Sequence, residues 1–152
     1  MARIKHTKTE LKAQTDALKR YQRFLPMLQL KKQQLQLEIA AITARLEAVV
    51  RETAALQAAA EAWLALFSDG DLPATLVTLE AIVTDKGNIA GVVIPLYCGI
   101  RTRREALDLF ATPAWHDDAQ ALVEARLALA AQARILAEQR RLITQELTTT
   151  SQ

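Results

Sequence analysis

From Thr7 to Phe67 the chain can be read in alternating steps of four and three, at positions 7, 11, 14, 18, 21, 25, 28, 32, 35, 39, 42, 46, 49, 53, 56, 60, 63 and 67. Fourteen of these eighteen positions are apolar: Leu11, Leu18, Tyr21, Leu25, Leu28, Leu35, Ile39, Ile42, Leu46, Val49, Leu56, Ala60, Trp63 and Phe67. Thr7, Gln14, Lys32 and Thr53 are the exceptions. A heptad seam without a skip in phase predicts a left-handed coiled-coil helix over 7–67, about 90 Å long at 1.5 Å per residue. One helix cannot bury such a stripe, so a partner is required.

Local signals place the remaining elements. Thr7-Lys8-Thr9-Glu10 reads as a capping box that starts the first helix. Pro26 faces away from the seam and predicts a kink, since the phase is the same on both sides. Lys32, a charge within the seam, reads as a register-fixing residue. Ser68-Asp69-Gly70-Asp71-Leu72-Pro73 is a stop signal. The period then becomes extended: Leu76–Val83 and Ile89–Ile94 flank Asp85-Lys86-Gly87-Asn88, predicting a β-hairpin over 75–97 with its turn at 85–88 and its second strand ended by Pro95. Thr102-Arg103-Arg104-Glu105 suggests a second capping box and a short helix over 103–110. Thr112-Pro113, followed by Asp117 and Asp118, opens a second long helix over 113–152. Its seam at 122, 126, 129, 133, 136, 140, 143, 147 and 150 is weaker; its aliphatic members are Leu122, Leu129, Ala133, Leu136, Ile143 and Leu147. The expected fold is mainly α: a long antiparallel two-helix coiled coil with a small β-hairpin and a short helix inserted between the long helices. Trp63, Phe67, Phe110 and Trp115 are expected to cluster where helices and hairpin meet.

Composition agrees with long helices over a thick core, with only 4 Gly, 4 Pro and seven aromatic residues in 152. Charge changes the picture more. Residues 1–34 carry nine Lys or Arg against two acids, a net +7; the remaining ten basic and fifteen acidic residues give −5. Lys5, Lys8, Lys12, Lys19, Arg20, Arg23, Lys31 and Lys32 are therefore candidate partner-binding residues for an acidic surface. Bond chemistry has no visible apparatus. Gly91 and Gly99 form no phosphate loop, His6 and His116 lack metal-ligand spacing, and adjacent Asp117 and Asp118 point apart on a helix. Cys98 has no activating neighbour and leaves no internal disulfide possible. Catalytic, cofactor and metal sites are thus expected to be absent. Glu61, Glu124 and Arg126 interrupt the longest apolar runs, so no membrane-spanning segment is expected.

Lengths add a further expectation. If Phe67 lies opposite Pro113, a partner helix ending at Gln152 reaches back only to about residue 28. Residues 7–27, with Leu11, Leu18, Tyr21 and Leu25, would lack cover. Thr148-Thr149-Thr150-Ser151-Gln152 contains no helix stop, so the sequence reads as truncated within its second long helix.

Several of these segments carry a resemblance. Thr7-Lys8, Leu11, Leu18 and Leu28-Gln29-Leu30-Lys31-Lys32-Gln33-Gln34-Leu35, then Asn88-Ile89-Ala90-Gly91-Val92-Val93-Ile94-Pro95, then Glu146-Leu147-Thr148-Thr149-Thr150 are similar in order and spacing to the D subunits of the V-type and archaeal-type (A-type) rotary ATPases. Phe24 departs from a position that family often fills with glycine, and the sequence stops where the family continues with a basic-Val-Asn segment. The resemblance implies a non-catalytic rotor shaft, or central stalk, without cofactor. It implies a place inside a hexamer of catalytic A and B subunits, with the F subunit near the hairpin and a foot on the subunit linking the stalk to the membrane ring. It also implies a cytoplasmic, peripheral position in a membrane-associated complex, with neither nucleic-acid binding nor direct membrane insertion. Two other classes fit the pattern: a prefoldin-like chaperone or another coiled-coil adaptor, which would self-associate through its hairpins, and the nucleic-acid-gripping arm of an enzyme, which would bind RNA with a steep salt slope.

Overall fold

The computed structural model describes residues 7–67, 76–106, 108, 110 and 115–151, with side chains for all of these except 62–67. Its order is α1 (Lys8–Phe67), β1 (Val77–Ile89), β2 (Val92–Arg104) and α2 (Trp115–Ser151). The chain is mainly helical, with an antiparallel two-stranded hairpin between two long helices.

α1 begins as its sequence dictates. The Glu10 amide donates to the Thr7 hydroxyl at 3.3 Å, and the Leu11 amide reaches the Thr7 carbonyl at 2.9 Å. Only this half of the capping box forms, because the Glu10 carboxylate accepts from Gln14 Nε2 instead. Pro26 lies inside the continuous 60-residue helix. Lacking an N–H, it leaves the Gln22 carbonyl without its intrahelical donor.

α2 runs antiparallel to α1: Lys31 pairs with Glu146, while Arg45–Glu52 lie beside Gln132–Gln139 across a shared groove. Between them Leu35, Ile42, Val49, Leu136 and Ile143 form the buried core, joined by Ile94 of β2. Leu35, Ile42 and Val49 repeat every seven residues, while Ile39 and Leu46 between them are only partly buried. A third element explains the difference. The hairpin lies along α2, and Ile89, Ala90, Val92 and Ile94 near its tip cover one side of the seam. Leu56 and Leu122 are partly buried; Leu129 and Leu147 pack against the cluster. The seam's Lys32 is exposed, so it does not fix register; the half-buried polar residue at this level is Lys31.

The hairpin departs from expectation in three ways. Its turn is Ala90-Gly91, not 85–88: Ile89 pairs with Val92, and Ala90 and Gly91 have φ of 51° and 87°, a two-residue loop with both residues left-handed. Asp85, Lys86, Gly87 and Asn88 sit inside β1, and the Asn88 side chain accepts from the Gly91 amide at 3.0 Å. Pro95 does not end β2, which continues to Arg104. The reason lies in the ladder. Starting from the hydrogen-bonded pair Ile89–Val92, alternate pairs turn outward, so Pro95 opposite Lys86 has no inter-strand donor to lose. The predicted 103–110 helix is likewise absent among the described residues. Arg103 and Arg104 belong to β2, and the Glu105 amide extends the ladder to the Leu76 carbonyl at 3.1 Å.

Candidate interaction surface

The first 23 residues of α1, Lys8 to Leu30, form an arm that precedes the Lys31–Glu146 pair, and by the offset of that pair residues 8–25 project past the described end of α2. Leu11, Leu18, Tyr21, Leu25 and Leu28 are all exposed there, Leu11 to 69%. Taking the Lys31–Glu146 pair as the antiparallel offset, Ser151 stands opposite about residue 26.

The cations divide into three groups. Lys8, Lys12, Lys19, Arg20 and Arg23 are exposed on the arm, and Lys32 is exposed at its base. Lys31 is half-buried, its ammonium held by the Glu146 carboxylate. Lys5 lies outside the described residues. At about 100° per residue, Lys8, Lys12, Lys19 and Arg23 fall within a sector of about 60°, on the side of the helix away from the apolar seam. A narrow cationic stripe of this kind can recognise a surface lined with carboxylates.

The hairpin is fixed to α2 by groups that sequence reasoning missed. Glu124 accepts from the Thr102 hydroxyl and from the Arg104 guanidinium, at 3.1 Å for Nε. The Thr102 hydroxyl, then Arg104, hold its carboxyl below the usual carboxylate range. Gln139 Nε2 donates to the Pro95 carbonyl at 2.5 Å, the group that faces outward from the ladder. Gln120 Nε2 donates to the Glu105 carbonyl at 3.0 Å and to that of Leu76 at 3.4 Å. Each of these α2 residues is polar within an apolar helix face, the one signal in the sequence that could have marked them. Farther along α2, Arg141 engages Glu138 three residues earlier, lowering that carboxyl's pKa and raising its own.

Of the expected aromatic cluster, only Phe110 and Trp115 have described side chains. Phe110 is fully exposed, Trp115 stacks on His116 at 4.2 Å, and the side chains of Trp63 and Phe67 lie outside the described residues. Cys98 is exposed. Among the described residues, no three His, Cys, Asp or Glu side chains gather as a metal site, and no helix is long and apolar enough to cross a membrane.

Comparison with known proteins gives two findings. The sequence profile of the family of ATP synthase D subunits matches residues 10–152. The D subunit of the V-type ATP synthase of Borreliella burgdorferi is 36% identical over 152 residues, which is all of this chain and 75% of that protein.

Proposed function

Because the chain belongs to the family of ATP synthase D subunits, we propose that it is the central-stalk subunit of a V/A-type rotary ATPase or ATP synthase. In this reading it is a non-catalytic shaft that carries torque between the ATP-converting hexamer and the ion-translocating membrane ring.

One observation supports a mechanical role above others: a 60-residue helix is braced from Lys31 to Val49 by an antiparallel partner and a hairpin, while the part before it carries exposed apolar side chains. The helix alone spans about 90 Å. Torque transmission requires that one part of a shaft not turn relative to the next. Here twist between α1 and α2 is opposed by interlocked side chains at Leu35, Ile42, Val49, Leu136 and Ile143. Twist between α2 and the hairpin is opposed by Glu124 and Gln139 at well-separated points. The two helices act as a coiled-coil rod, with residues 1–34 as the part inside the hexamer of catalytic A and B subunits. The cationic stripe tracks carboxylates of the hexamer wall through screened, long-range attraction, which permits sliding. The F subunit binds near the hairpin, and the foot engages the subunit that links the stalk to the ring.

Assembly tests this reading. Co-expressed with A, B and F subunits of its own complex, the chain is expected to co-purify with the hexamer in a ratio of about one shaft to three A and three B subunits, as a shaft seated on a symmetric ring requires. A chain that purifies as a self-associated oligomer, leaving the hexamer empty, would contradict it.

A further inference from the structure

The hairpin's two outer edges differ. On the β2 side the outward carbonyl of Pro95 accepts from Gln139 of α2, and proline offers no amide there. Among the described residues no strand pairs with the outer edge of β1, which looks onto an open groove whose far wall includes Arg134, Glu138 and Arg141. A bare strand edge is a template for another chain.

Only part of this edge is regular. Leu79 pairs with Thr102 but Ala81 with Arg101, so Glu80 bulges out of β1. Val83 pairs with Gly99 but Thr84 with Tyr97, so Cys98 bulges out of β2. Bulges bend and twist a strand, which leaves Thr84–Ile89 as the ladder on which a third strand could build. Within it, the alternation set by the Ile89–Val92 pair turns the amides of Thr84, Lys86 and Asn88 outward. A strand that bonds to two successive outward positions must therefore use Lys86. That amide is already engaged, donating to Asp85 Oδ1 at 2.7 Å. The carboxylate thus stands where the carbonyl of an added strand would come, and two acceptors repel.

We propose that Asp85 closes the free edge of β1 to strand addition. The hairpin then stays two-stranded, copies of the chain do not join through it, and a protein that binds near it does so through side chains. This goes beyond the central-stalk reading and does not depend on it. It opposes the adaptor class, whose members would self-associate through their hairpins.

The test follows hydrogen exchange of single amides by NMR on the full chain, at low and high protein concentration. In the wild-type chain the Lys86 amide is expected to exchange about three- to tenfold more slowly, relative to its intrinsic rate, than those of Thr84 and Asn88. None of the three should change with concentration. Asp85 is exposed, so Asp85→Ala leaves the circular dichroism unchanged but removes the acceptor. All three amides should then gain at least about threefold protection at the high concentration, as copies pair edge to edge. Asp85→Asn keeps an acceptor oxygen in place and should behave as the wild type, which separates the capping bond from the charge. Association through the exposed arm does not touch these amides and leaves the readout unmoved. Lys86 exchanging as fast as its neighbours overturns the cap. Concentration-dependent protection in the wild type or in Asp85→Asn, or none in Asp85→Ala, overturns the closed edge and leaves the stalk reading intact.

Discussion

Truncating Ile143 to alanine tests whether the middle of the molecule is one interlocked unit of three elements. Ile143 is fully buried on α2, within the cluster that holds Leu35, Ile42 and Val49 of α1 and Ile94 of β2. The substitution removes three carbons from water-free surroundings, worth about 2.4 kcal/mol at roughly 0.8 kcal/mol each. The remaining hole adds about 1 kcal/mol, because neighbours on three elements cannot all relax into it. The expected loss is therefore about 3 to 4 kcal/mol, or a fall in Tm of roughly 6–16 °C for a chain of this size. Leu11→Ala is the matched control. That leucine is larger than the residue replacing it by the same three carbons but is 69% exposed, so its truncation should change stability by under about 0.5 kcal/mol. Urea unfolding followed by circular dichroism measures both. A loss at Ile143 below about 1 kcal/mol, or one no larger than at Leu11, would refute the idea that hairpin and helices share a core.

Three other perturbations address separate links. The Glu124 carboxyl is held low by Thr102 and Arg104, so its contribution to hairpin docking is full above about pH 4.5 and is lost as pH falls through the depressed folded value. Hydrogen exchange of β2 amides should accordingly lose protection in acid, and Glu124→Gln should lower protection at neutral pH while reducing that acid-dependent loss; identical pH profiles would contradict the assignment. At the turn, Ala90→Asn should raise stability by up to about 1 kcal/mol, because asparagine tolerates the left-handed conformation, and Gly91→Val should lower it by at least as much. Thermal unfolding of the two variants decides, and equal Tm values would reject the turn. Neutralising Lys8, Lys12 and Lys19 together should weaken hexamer binding several-fold at low salt and little at high salt; unchanged affinity at low salt would remove the stripe from the interface.

The helices were readable because their determinants are local and repeated. Leu35, Ile42 and Val49 recur at one heptad position, and Thr7 supplies its cap within one turn. The hairpin was readable as an element but not in its details. Asp85-Lys86-Gly87-Asn88 has the composition of a turn, yet the actual loop uses Ala90, a residue that ordinarily avoids positive φ. Asn88 acts there from outside the loop, through its side chain. Thr102 and Arg104 resembled a helix start because the partner that holds them in a strand, Glu124, lies twenty or more residues away. Strand formation depends on such cross-element contacts more than helix formation does. The cations of the arm were visible as a charge excess, but Lys31 could be separated from the rest only when Glu146 was seen beside it. The exposure of Phe24, Met27 and Leu30 went unmarked because a heptad seam says nothing of residues that lie off it.

The proposed shaft turns as one piece inside a stationary hexamer, and the chain carries an attachment point for a probe that tests this motion. Cys98 is the only cysteine in the chain and is exposed on the hairpin, so a bead or fluorophore attached there reports the angle of the shaft. With the hexamer fixed to a surface and ATP supplied, the probe is expected to rotate continuously in one direction, at a rate that rises with ATP concentration. A hexamer that hydrolyses ATP at full rate with the chain bound and the probe stationary would contradict the account.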